Sequence, residues 1–278
     1  MIWRLLEGQD VQPKFVVNAC PKHGLHLLAM LVEGAVDRMP ESIYNANHWA
    51  GTYRWNSFIP EWRPMERWFF LMSRLRQGYY TQGHVGWRQD VNNYLKLSRM
   101  AHVFVYRDLR DAAVSMAHHV LSSDEKRNYH PAKAMYRALG GFDDVLTAVI
   151  CGLGPFPGAV ALFESYAPWL DEEWVHLIRF EDAIEDLEGT ARGILEYGLD
   201  QITRDLWEVE FRVEGALFDR VVQAMVASAA QKEKSPTFRK GEPGEWQEVF
   251  TGRHRDLFKK CDANGWLVRL GYEEREDW

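Results

Sequence analysis

The sequence predicts an α/β fold in three layers, with a central, mainly parallel β-sheet flanked by helices. Three observations carry this reading. Apolar runs of strand length occur at Phe15–Cys20, Ala101–Tyr106 and Trp174–Phe180. Each passes directly, or through a short loop, into a stretch whose apolar residues recur at helical spacing. Repetition of that unit requires parallel strands joined by crossover helices. A chain of 278 residues, 46% of them hydrophobic, is long enough to bury the core such a fold needs.

In chain order, the first strand ends at Pro21-Lys22-His23-Gly24. A helix follows, with Leu27, Leu28, Leu31, Val32, Ala35 and Val36 on its apolar face, expected to end near Met39-Pro40. The connection to about Gln77 is dense in rings: Tyr44, Trp49, Tyr53, Trp55, Phe58, Trp62, Trp68, Phe69 and Phe70. Such rings either fill core under short helices or wall an apolar ligand pocket, and the composition fits both. A strand at Tyr79–Gln82 and a helix capped by Asp90 precede the strand Ala101–Tyr106, which runs into a helix carrying Ala112, Ala113, Val114, Met116 and Ala117. Further helices are expected over about 131–150, up to about Trp169-Leu170, from Ala183, over about 213–231 and over about 251–264, with a Gly/Pro break at 152–158. No repeat, low-complexity tract or linker intervenes, so residues 1–278 are expected to form a single domain.

The formal net charge of −7 argues against general nucleic-acid binding, so an anionic ligand would need a local basic cluster. The three cysteines, Cys20, Cys151 and Cys261, are odd in number and far apart, and read as buried thiols of a reducing cytoplasm. No run of about 18 apolar residues and no leader pattern is present, so neither membrane nor export is expected.

The first strand-loop-helix turns the unpaired amides of a helix N-terminus outward beside Lys22, a P-loop-like arrangement that makes an anion site without a metal. An ordinary βα turn shares this pattern, so other segments must decide. Cys20, His23 and His26 have a spacing that suggests zinc, but a fourth ligand is missing.

Three separated segments supply the decision, and through them the chain resembles the cytosolic-type sulfotransferases, which use 3′-phosphoadenosine 5′-phosphosulfate (PAPS). Pro21-Lys22-His23-Gly24-Leu25-His26-Leu27 stands where the family has Pro-Lys-Ser-Gly-Thr-Thr-Trp. Arg107-Asp108-Leu109-Arg110-Asp111 with Ser115 is similar to its Arg-Asp-Pro-Arg-Asp run and following serine. Arg239-Lys240-Gly241-Glu242-Pro243-Gly244-Glu245-Trp246 matches its Arg-Lys-Gly-x-x-Gly-x-Trp segment. The resemblance implies that residues 22–27 hold the 5′-phosphosulfate, and that Arg107, Ser115, Arg239, Lys240 and the Gly241 amide hold the 3′-phosphate. It implies that Phe180 and Phe218 flank adenine and that no metal takes part. It also implies an in-line transfer to a hydroxyl or amine of a small-molecule acceptor, with release of adenosine 3′,5′-bisphosphate (PAP). The family's base lies about two dozen residues before its arginine. His84 is 23 before Arg107, so His84 is expected as general base and Lys22 as the group that neutralises the leaving phosphate.

Several positions depart from the family. Leu25 and His26 replace two threonines, Leu27 a tryptophan that stacks on adenine, Gln82 a second lysine, and Phe180 a tyrosine. Two other readings stay open on the residues alone: a P-loop-type small-molecule kinase, which the missing Walker residues disfavour, and a nucleotide-binding module that has lost catalysis. The acceptor and the oligomeric state are not readable from the sequence.

Overall fold

The computed structural model describes residues 12–38, 65–122, 133–203, 215–231 and 241–278. At its centre is a five-stranded sheet of β1 (Phe15–Ala19), β2 (Asp37–Arg38), β3 (Tyr79–Gly83), β4 (Ala101–Tyr106) and β7 (His176–Arg179) in the order β2-β3-β1-β4-β7, with every neighbouring pair parallel. β1 and β4 are apolar except for Asn18 and His102 because both their faces are covered. Val16 and Phe104 enter one apolar cluster, while Phe15, Val17, Val103 and Val105 enter a second. The alternation of a strand places these clusters on opposite faces of the sheet, which gives the three layers expected. A two-stranded antiparallel ribbon, β5 (Gly152–Leu153) with β6 (Phe156–Pro157), occupies the Gly/Pro break.

One layer contains α1 (Leu25–Glu33), α9 (Leu187–Thr203) and α10 (Gly215–Ala229). The other contains α4 (Leu109–Leu121), α6 (Phe142–Cys151), α7 (Ala159–Glu164) and α12 (Gly252–Cys261). Three boundaries differ from the sequence reading. α1 stops at Gly34, and the chain turns there to add the edge strand β2, although Ala35 and Val36 keep the helical period and stay buried. The helix expected over 131–150 is two helices, α5 (Lys133–Arg137) and α6, parted at Gly140, whose φ of 104° is left-handed. The helix expected from Ala183 is two helices, α8 (Phe180–Glu185) and α9. The apolar face of α9 (Ala191, Ile194, Leu195, Leu199) is interrupted by Gly189, Gly193 and Gly198, poor helix formers, and a Cβ on Gly198 would come 2.4 Å from the Phe15 ring.

The thiols also differ. All three cysteines are free, but only Cys20 is buried; Cys151 is exposed and Cys261 half-buried. Among the described residues, no helix is long and apolar enough to cross a membrane, and no group of three or more His, Cys, Asp or Glu is placed to hold a metal ion.

Candidate active site

The carboxyl ends of β1, β3, β4 and β7 lie along one edge of the sheet, and each delivers a site segment: residues 20–24, His84, Arg107 and Phe180. In an open parallel sheet this is the edge where ligands bind. Four segments separated by up to 160 residues are adjacent because β1 lies between β3 and β4.

In the loop after β1, burial alternates. Cys20, Pro21, His23, Leu25 and Leu27 are buried, whereas Lys22, Gly24 and His26 are partly open. Lys22 adopts a left-handed φ of 70°, rare for a side chain of its size, and Gly24 follows at 100° as N-cap of α1. Among the described residues no side chain caps the helix, so the amides of its first turn, next to Lys22 in the chain, are left without a side-chain partner. The Leu25 and Leu27 side chains are packed in the core, and what these positions offer an anion is backbone. A Cβ on Gly24 would fall 2.4 Å from Phe180 Cδ2, so the glycine is required by the close approach of that ring.

His84 follows β3, which pairs with β1 so that Asn18 faces Gly83. One residue further on, His84 Nδ1 lies 2.8 Å from the Ala19 carbonyl. A carbonyl only accepts, so Nδ1 carries a hydrogen, and in the neutral ring the lone pair is then on Nε2, the tautomer a proton acceptor needs. The backbone around His84 is clamped. The Asn18 amide donates to the Val85 carbonyl (2.9 Å) and accepts from the Val85 N–H (2.8 Å), Trp169 Nε1 donates to the same carbonyl (2.9 Å), and Tyr166 Oη donates to the His84 carbonyl (3.4 Å). Sequence reasoning missed Asn18, although a lone polar residue in an apolar strand that points to both faces was its signal.

Arg107, at the end of β4, is buried. Its guanidinium stands 4.5 Å from the Phe180 ring centre, donates to the Glu242 carbonyl (2.9 Å) and lies 3.4 Å from Asp111 Oδ2. Its Nε has no hydrogen-bond partner among the described residues. Gly24, Phe180, Arg107 and Glu242 are therefore one chain of contacts linking all three signature segments. Gly241, with φ of 69°, lies beside Glu242 and has the left-handed backbone that favours glycine. Arg239 and Lys240 lie outside the described residues, as do Tyr44, Trp49, Tyr53, Trp55, Phe58 and Trp62.

The other charges of the Arg107–Asp111 run hold the scaffold, a role the sequence reading did not assign. Asp108 caps α4 through the Arg110 N–H (2.9 Å). Asp111 accepts from the Gly244 and Trp246 amides at 2.7 and 2.9 Å, tying the C-terminal segment to α4. Arg110 is packed against Trp246 and Trp278 (3.6 and 4.4 Å to the ring centres) and paired with Asp108 and Glu273.

Ser115 is half-buried on α4, two turns beyond Arg107. Phe218, on α10, packs against the cluster that contains Leu27 and Phe180, with Arg192 5.8 Å over its ring. Gln82 is buried in β3 opposite Val17. Trp68 and Phe69 pack edge-on with each other and with Tyr94, as core rings do.

Behind the loop lies a partly open apolar cleft, lined by Cys20, Pro21 and His23 and by Ala112, Ala113 and Met116 of α4, with Tyr136 and Phe156 beyond. Burial, together with the Arg107 charge, pushes the His23 pKa down to about 3, so this ring is neutral at physiological pH. Its Nδ1 is buried and unpartnered among the described residues.

These features define an anion-binding α/β fold with an imidazole and an apolar cleft beside the anion loop. Comparison with known proteins gives its family. The sulfotransferase domain model matches residues 84–263, more than half the chain, and the chain belongs to the sulfotransferase family. The match begins at His84 and includes Arg107, Ser115 and the Arg239–Trp246 segment; the Lys22 loop precedes it. Sequence comparison with curated proteins finds no match. Among solved structures the fold is similar to mouse sulfotransferase SULT7A1 complexed with PAP (15% identity over 90% of this chain and 82% of that one, TM-score 0.57). It is also similar to retinol dehydratase in complex with androsterone and inactive cofactor PAP (15% identity, 93% and 87% covered, TM-score 0.52). The family expected from the three motifs is the one found.

His102, also in β4, is a separate case. It is fully buried edge-on to Trp169 (4.4 Å between ring centres), and burial lowers its pKa to about 3. An unfolded histidine takes up its proton near pH 6.5. Between those values the unfolded chain binds one more proton at this site, so stability falls as pH falls, by about 1.4 kcal/mol per pH unit. In urea melts from pH 6.5 down to 4, His102→Phe is expected to show a shallower acid loss than wild type by up to that slope; equal slopes would contradict it.

Proposed function

We propose that the protein is a PAPS-dependent sulfotransferase that moves the sulfuryl group to a hydroxyl or amine of a small-molecule acceptor and releases PAP. The observation that carries this reading is the bond from His84 Nδ1 to the Ala19 carbonyl, which seats an imidazole of defined tautomer at the first turn of the anion loop. The donor set fits a nucleotide anionic at both ends: Lys22 with the α1 amides at one position, and at another Arg107, whose buried Nε lacks a partner among the described residues. The PAP in the solved relatives supports the same ligand here. Ser115, Gly241, Arg239 and Lys240 join Arg107 at the 3′-phosphate in this proposal, and Phe180 and Phe218 border the base.

PAPS supplies a sulfuryl group bound to a good phosphate leaving group. Around it, His84 Nε2 takes the proton that the acceptor oxygen or nitrogen loses as it attacks sulfur in line. Lys22 and the α1 amides stabilise the negative charge that grows on the departing phosphate oxygen. The transition state is loose, so holding these groups in place is most of the catalysis. Asn18 is a positioning residue, acting through the backbone of Val85. The acceptor belongs in the apolar cleft, whose Cys20 wall adjoins Ala19. Residues 1–278 form a single domain in this reading, as one sheet with an apolar cluster on each face supports, and three free cysteines support a cytoplasmic site of action.

His84→Ala is expected to abolish turnover of labelled PAPS with almost unchanged PAP affinity, and unchanged turnover would remove His84 from the role. Asn18→Ala should lower kcat at least ~10-fold with PAP affinity retained, since misplacing a catalytic group by about 1 Å can cost 100-fold; equal losses in both would make Asn18 merely structural. PAP should raise the melting temperature and ATP with magnesium should not; the reverse would favour a kinase. Met116→Trp, which narrows the cleft, should raise the acceptor KM several-fold and leave the PAP-induced shift intact; an unchanged KM would place the acceptor elsewhere.

A further inference from the structure

Cys151 is the last residue of α6 and Cys261 the last residue of α12. The two helices pack against each other. Near their N-termini, His254 Nε2 lies 3.2 Å from the Asp143 carbonyl. From that shared level the chain rises roughly 12 Å along α6 to Cys151 and roughly 10 Å along α12 to Cys261, at ~1.5 Å per residue. At those C-terminal ends the two thiols stand close enough for the Cys151 charge to act on Cys261, so the helices run in the same direction and end together. Neither takes part in sulfuryl transfer as derived above. Cys151 is exposed and Cys261 half-buried, and burial, with the Cys151 charge beside it, pushes the Cys261 thiol up to about 11. Cys151 is thus the sulfur that solvent reaches first, and Cys261 keeps its proton at neutral pH.

We propose that Cys151 and Cys261 are a redox-modifiable dithiol site, in which a hydroperoxide oxidises Cys151 and Cys261 then closes a disulfide between the ends of α6 and α12. In the first step the Cys151 thiolate attacks one peroxide oxygen, the O–O bond breaks, and water or an alcohol leaves after protonation, with a sulfenic acid left on Cys151. In the second, the Cys261 sulfur forms the S–S bond as the S–O bond breaks, and the hydroxyl departs with the Cys261 proton as water. Two electrons pass from the pair of sulfurs to the peroxide, and a dithiol reductant reverses the change. Cys20, buried under the anion loop, lies outside this chemistry and serves as an internal control.

The test is peroxide treatment of the full chain, alkylation, digestion without reduction and mass spectrometry. A Cys151–Cys261 peptide about 2 Da below the sum of its parts, lost on reduction with dithiothreitol, is expected. Cys261→Ser should instead leave Cys151 as a sulfenic acid that dimedone traps. Three results would overturn the proposal: Cys261 still alkylated in oxidised wild type, Cys151 driven to sulfinic or sulfonic acid without the linked peptide, or linkage only between separate chains.

Discussion

The site depends on the central position of β1. Because β3 and β4 pair with it on either side, the ends of all three strands meet, and the Ala19 carbonyl at the end of β1 can accept from His84 at the end of β3. That hydrogen bond orients the ring and ties it to the loop that carries Lys22. A one-residue slip of β3 against β1 would send His84 to the other face of the sheet. The Asn18 side chain opposes such a slip, because it continues the β1–β3 ladder one step past the strand with a matched donor and acceptor for Val85.

On the opposite side of β1 the constraint is electrostatic. In the proposed function an acidic protein holds its anion with local charge, and Arg107 is the buried source assigned to that task. Burying a guanidinium is costly unless it is paired. Here Asp111, the Glu242 carbonyl and the Phe180 face share it, and its Nε has no partner among the described residues. Asp111 also holds the Gly244 and Trp246 amides, so the carboxylate that partners Arg107 ties down the C-terminal basic segment. The pattern Arg-Asp-x-Arg-Asp is thus one arginine, assigned to the nucleotide in the proposed function, and three charges that fasten the polypeptide around it.

Much of this was legible in the sequence. The apolar runs of β1 and β4 were unambiguous because both faces of each are buried, and the Lys22, Arg107 and Arg239–Trp246 segments could be read by residue type and spacing. What escaped has physical causes. The extent of α9 was hidden by its glycines, one of which makes room for Phe15. The early end of α1 was hidden because Ala35 and Val36 remain buried after the helix stops. Asn18 and Asp111 act through contacts 67 and 133 residues away in sequence, beyond any local pattern. The cysteine pair was invisible for the same reason, since only the parallel packing of α6 and α12 brings Cys151 and Cys261 together.

The most direct measurement is a crystal structure of the protein with PAP bound. The account predicts the 5′-phosphate on the Lys22 loop at the start of α1, the 3′-phosphate within hydrogen-bond distance of the Arg107 guanidinium, and His84 Nε2 facing the side from which the sulfuryl group has left. PAP bound away from the carboxyl edge of the sheet, or with its two phosphates in exchanged places, would contradict it.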